Sequence, residues 1–145
     1  MASPLPRVDF YLVDGGESAR DQFCCRLVEK AYRAGYRVHL RTPDRAAAER
    51  LDTRLWTFRP GSFVPHALLP EAQDEPVTLG ETLPAEAGGL LVNLGEAPDL
   101  DACPWSRIAE VAAAAGADLD AARKRFKAYR EAGCEPRHHR IAGAS

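Results

Sequence analysis

Apolar and polar residues alternate over Val8 to Asp14 (VDFYLVD), the period of a strand, and the run ends at the turn Asp14-Gly15-Gly16. From Ser18 the period changes. Cys24, Leu27, Val28 and Ala31 fall on one helical stripe, Ser18 and Asp21 have the spacing of a capping box, and Gly35 stops the run. Tyr36, Val38 and Leu40 then alternate with Arg37, His39 and Arg41, which predicts a second strand with one wetter face and places His39 on it. Thr42-Pro43-Asp44 offers a hydroxyl cap and a first-position proline to a helix whose buried stripe is Ala48, Leu51 and Leu55, and Pro60-Gly61 ends that region. Apolar segments at 63–69, 77–79 and 89–94 read as short strands between acidic loops carrying Pro and Gly. Ile108 to Ala115 fits either period, and its position favours a last strand. Asp118 then caps a helix through Ala132, closed by Gly133, with Leu119, Ala122, Phe126 and Tyr129 on one face. Strands alternating with helices predict a three-layer α/β domain, its sheet mostly parallel and covered by helices on both faces.

Composition sharpens this by exclusion. At 145 residues, 46% hydrophobic and 28% charged, the chain has the size and balance of one folded domain and is neither fibrous nor disordered. Its apolar runs, such as Val111 to Ala115, fall far short of the roughly 20 residues that span a membrane. The opening MASPLPR lacks the apolar core of a secretory signal, so a reducing cytoplasm is expected, with Cys24, Cys25, Cys103 and Cys134 as free thiols.

Charge is distributed unevenly. Between Gly61 and Ser106 stand eight carboxylates (Glu71, Asp74, Glu75, Glu81, Glu86, Glu96, Asp99 and Asp101) and no Lys or Arg. Between Arg123 and Arg140 seven cations face only Glu131 and Glu135, a net of +5 in a chain of net −2, so the first 122 residues carry −7. An acidic partner is therefore expected near the carboxyl end, and the bulk acidity argues against direct nucleic-acid binding.

Catalytic and cofactor signatures are thin. The turn Asp14-Gly15-Gly16-Glu17-Ser18 is where many α/β proteins seat a phosphate, and a small nucleotide-binding enzyme or sensor using it is the rival reading. However, neither G-x-G-x-x-G nor a P-loop occurs, and Asp14 and Glu17 set negative charge at that place. Cys134, His138 and His139 lack an evident fourth ligand for zinc and stand among arginines, so no metal and no other cofactor is expected. Two features carry more. Trp56, Phe58 and Phe63 crowd a Pro-Gly break, either as core plugs or as interface anchors. On the last helix Arg123, Lys127 and Arg130 form a row beside Leu119 and Phe126, chemistry suited to an acidic peptide ending in a hydrophobic residue and a free carboxylate.

At FYLVD (Phe10 to Asp14), LW-x-x-RP-x-SFVPH (Leu55 to His66) and AR-x-R-F-K-AYR-x-AG (Ala122 to Gly133), in that order, the chain resembles the chi subunit family of the bacterial DNA polymerase III holoenzyme over nearly its whole length. The resemblance implies one Rossmann-like domain over 1–145 without nucleotide chemistry, a non-catalytic adaptor in the replisome. Its implied partners are the acidic, phenylalanine-terminated tail of single-stranded-DNA-binding protein and the psi subunit of the clamp loader. By that resemblance Arg123 and Lys127 pair with the tail's carboxylates and Phe126 walls the pocket for its last ring. Leu119 occupies a position where a relative can carry another lysine, and Tyr129, Arg130 and Gly133 lend support. Trp56 and Phe63 fall to the psi side, or to a helicase competing for it. The acidic loops between Pro70 and Ala87 acquire no role.

Overall fold

The computed structural model describes residues 5–72, 74–84, 89–98 and 105–142. Among these, β1 (Arg7–Val13), α1 (Gly16–Arg33), β2 (Val38–Arg41), α2 (Arg45–Thr57), β3 (His66–Leu68), β4 (Val77–Gly80), β5 (Leu90–Asn93), β6 (Arg107–Ala113), α3 (Gly116–Glu131) and β7 (Arg137–Ile141) follow in order. The strands form one sheet, ordered β3-β4-β2-β5-β6-β1-β7, and every pairing is parallel. The expected three-layer, Rossmann-like α/β fold is what forms, and the ambiguous segment at 108–115 is strand up to Ala113, as β6, but not the last one, because β7 follows α3 and adds to the edge beside β1. Glu86, Cys103, Asp99 and Asp101 lie outside the described residues; Cys24, Cys25 and Cys134 are buried thiols that form no disulfide.

Alternation along β1 divides the core. Val13, with Val38, Leu40, Val77, Leu79, Val92 and Val111, packs beneath α1 and α2 against Cys24, Val28, Leu51 and Leu55. Val8 and Phe10 point the other way and join Leu91, Ile108 and Ala112 beneath Ala122 and Tyr129 of α3. Helices α1 and α3 end alike: Gly35 (φ 92°) and Gly133 (φ 96°) adopt the left-handed conformation, letting Tyr36 N donate to Ala31 O and Cys134 N to Tyr129 O, each at 3.0 Å.

The helix starts differ from those expected. Helix α1 begins at Gly16 after a left-handed Gly15, with no side-chain cap; Asp21 instead accepts from Arg20 and Arg50, so the Ser18–Asp21 box does not form. The cap of α2 is Asp44, which accepts from Ala47 N at 2.8 Å, while the Thr42 hydroxyl donates to Asp44 O and Pro43 stays outside the helix. Asp118 lies in the first turn of α3, where it accepts from Ala113 N at 2.6 Å and pairs with Arg20 at 3.2 Å. Asp21 and Asp118 are drawn to arginines of other turns and elements, while Thr42 yields the cap of α2 to Asp44 two residues on.

His39 is 1% exposed, against the expectation of a solvated position, because β2 lies between β4 and β5 and is covered on both faces. Its Nδ1 lies 2.8 Å from Thr78 Oγ1 and its ring stacks on Trp105. Burial lowers its pKa from 6.5 to about 4, Arg41 adds to that, and a backbone hydrogen bond at Thr82 opposes it. The unfolded chain therefore takes up a proton near pH 6.5 that the fold refuses, so the stability present above that pH is lost as pH falls through 4. Urea midpoints should record a loss of roughly 3 kcal/mol from this group between pH 7 and 4. His39→Gln should remove that part of the slope, and an unchanged slope would contradict the assignment.

Candidate functional site

Helix α3 is locked in rotation by a buried carboxylate. Glu110, fully buried on β6, accepts from Arg125 Nε at 2.7 Å, from the Tyr129 hydroxyl at 2.6 Å and from Asn93 Nδ2 at 2.8 Å. Burial pushes its carboxyl upward in pKa while the Arg125 charge and the hydrogen bonds pull the other way. Tyr129 is thus spent inside, its hydroxyl on Glu110, and it positions the helix rather than meeting a docked ligand. Glu110 and Asn93 were missed from sequence, although Glu110 is the only charge in the run Ile108 to Ala115.

With Ala122, Arg125 and Tyr129 turned inward, Arg123, Lys127 and Arg130 are exposed. The Arg123 side chain is 72% and that of Lys127 80% accessible, and each stands 3.9 Å from an equally exposed acid, Asp120 and Glu131. Such pairs are worth little in water and exchange readily for a ligand carboxylate. Leu119 and Phe126 lie half-buried on the same stripe, Leu119 about two helical turns before Phe126. Phe126 packs edge-on to Phe10 at 5.2 Å and to His138 at 6.4 Å, which turns this flank of α3 toward the edge strand β7. Strand β7 carries exposed Arg137, His138 and Arg140, and half-buried Leu12 of β1 joins the same apolar cluster as Phe126. The result is a flank with an apolar strip bordered by open cations.

The aromatic feature resolves into two parts. Phe58 packs half-buried against the core, whereas Trp56 is 47% and Phe63 68% exposed, their rings 5.8 Å apart, with Trp56 also 4.2 Å from the His66 ring. This pair sits where α2 meets β3, and α3 flanks β7. The two surfaces therefore lie toward opposite edges of the sheet, whose edge strands β3 and β7 are six strand spacings or about 29 Å apart.

At the rival site, Arg140 grips Asp14 Oδ1 at 2.6 Å, and its hydrogen bond holds the Asp14 carboxyl below the usual range, so that cation is already engaged by a carboxylate while Glu17 adds an acid in the first turn of α1. A phosphate there would meet carboxylates. Among the described residues no group of His, Cys, Asp and Glu is placed to hold a metal, and no helix is long and apolar enough to cross a membrane.

Fold and surface together define a parallel, Rossmann-like α/β domain that turns a cationic helix and an aromatic pair outward at opposite edges. The family described as DNA polymerase III chi subunit, HolC, matches residues 5–137, and the chain belongs to that family. It is 43% identical over 140 residues to the DNA polymerase III subunit chi of Pseudomonas aeruginosa, covering 94% of this chain and 98% of that one. The protein of the same name from Escherichia coli is 31% identical over 138 residues, 89% of this chain and 94% of its own. That from Haemophilus influenzae is 34% identical over 59 residues, 41% of each chain. Membership of that family makes the chain a component of DNA replication.

Proposed function

We propose that this chi subunit is a non-catalytic adaptor, holding the acidic, phenylalanine-ended tail of single-stranded-DNA-binding protein on the β7 flank of α3 and the clamp loader, through psi where it exists, at the Trp56–Phe63 pair. The observation that carries the reading is that Arg123 and Lys127 stand open beside a half-buried Phe126. Arg123 offers a planar fork to a carboxylate, Lys127 a point charge, and Leu119 with Phe126 an apolar strip for a terminal ring. Arg130 extends the row, and Tyr129 keeps it facing outward. With Leu119 in place of a further cation, the grip has one electrostatic contact fewer.

A fluorescent peptide ending Asp-Phe-Pro-Phe should bind with a Kd on the order of micromolar and weaken with salt, as screened contacts require. Arg123→Ala and Lys127→Ala should each weaken it, and unchanged affinity in both would remove the site assignment. Trp56→Ala should leave that affinity intact while reducing co-precipitation of psi, or of the competing helicase. Loss of tail binding in Trp56→Ala would show that the two edges are not independent. Single-stranded DNA should be retarded at moderate salt only once single-stranded-DNA-binding protein is added.

A further inference from the structure

The geometry points to a second ligand site, a cleft outside the carboxyl ends of β2, β4 and β5 that takes a small phosphate-bearing molecule. The cleft measures about 710 Å³, within the range of small-molecule sites and too large for a bare phosphate alone. Five cations line it: Arg20, Arg41, Arg50, Lys124 and Arg125, drawn from all three helices and from β2. The lining acids are Glu81, Glu96 and Asp118, and Asp21 and Glu110 pair with the lining arginines from behind, so cations and acids balance and the cleft's preference rests on which cations stay unpaired. It opens on the β5 flank of α3, the side of Arg125, Glu110 and Asn93, whereas Phe126 faces β7.

Which of these charges remain available decides the matter. Arg20 is taken by Asp21 and Asp118, and Arg50 by Asp21. Arg41 is different: it donates to the backbone carbonyls of Glu81 at 3.1 Å and Glu96 at 2.8 Å, which fix the guanidinium without neutralising it. Lys124 is exposed and, among the described residues, makes no ion pair. Arg125 spends Nε on Glu110, while its Nη2 is buried without a hydrogen-bond partner. A preset guanidinium and a free ammonium thus border one opening, with the enclosed Arg125 behind them, and open parallel sheets bind ligands at this end of their strands.

Inorganic pyrophosphate and ATP, titrated calorimetrically into the full chain at matched ionic strength, provide the test. Saturable pyrophosphate binding below about 1 mM is expected. Tighter binding of ATP would identify a nucleotide, and equal binding a ligand recognised through its phosphates alone. Lys124→Gln and Arg41→Gln should each weaken pyrophosphate at least tenfold; Lys124→Gln, on an exposed side chain, keeps the test valid should Arg41→Gln perturb the loops it holds. Arg123→Ala should bind pyrophosphate as wild type does, so failure here is separable from failure of the tail site. Absence of saturation, or equal affinity in both cleft variants, would overturn the site. So would loss of tail-peptide affinity in Lys124→Gln, by assigning the cleft to the tail.

Discussion

Glu110→Ala is expected to destabilise the fold by about 3–5 kcal/mol, the cost of leaving a buried guanidinium without its partner. The substitution strips Arg125 of its carboxylate and leaves the Tyr129 hydroxyl and one Asn93 N–H without their acceptor. For a domain of this size such a loss removes a large share of a stability of about 5–15 kcal/mol. Denaturant midpoints should show it, with Glu110→Gln milder because an amide still accepts one hydrogen bond. Glu110→Leu combined with Arg125→Leu should lose less than the two single changes together, since apolar groups of similar shape replace a buried pair at little cost. Additive losses would mean that the two side chains do not act as a unit.

Charge reversal at Arg123 and Lys127 together should lower affinity for the acidic tail roughly 100-fold, about 2.7 kcal/mol, as two charge-assisted contacts become repulsions. Both side chains are largely exposed, so stability should change by no more than about 0.5 kcal/mol for each. That pairing of a large binding loss with an intact fold separates a contact residue from a structural one. Reversal at Lys124, on the other flank of the helix, should act on the tail only through longer-range charge and so much more weakly.

Much of this was legible in the chain. Strand β1 and helix α1 announce themselves by a change of period at Gly15-Gly16, and the stops at Gly35 and Gly133 follow from the conformations those positions adopt. The open cations of α3 were readable too, because Arg123, Lys127 and Arg130 share a stripe. Strand β7 was not: RHHRI has no apolar alternation, and its extension comes from parallel pairing with β1 at the sheet edge. Nor was the buried polar set. His39 alternates like a surface residue, yet flanking strands and Trp105 enclose it. Glu110 gains its meaning only when Arg125, Tyr129 and Asn93 converge from other elements. The helix starts failed for the same reason, since Asp21 and Asp118 serve arginines contributed by neighbouring elements or turns.

The claim that the β7 flank of α3 holds another protein's acidic tail is tested most directly by a two-dimensional NMR titration of the labelled chain with the Asp-Phe-Pro-Phe peptide. Signals of Leu119, Arg123, Phe126 and Lys127, with His138 across the flank, should move together and saturate, while Trp56 and Phe63 stay in place. Shifts clustered at Trp56 and Phe63 instead, with the α3 signals unmoved, would contradict it.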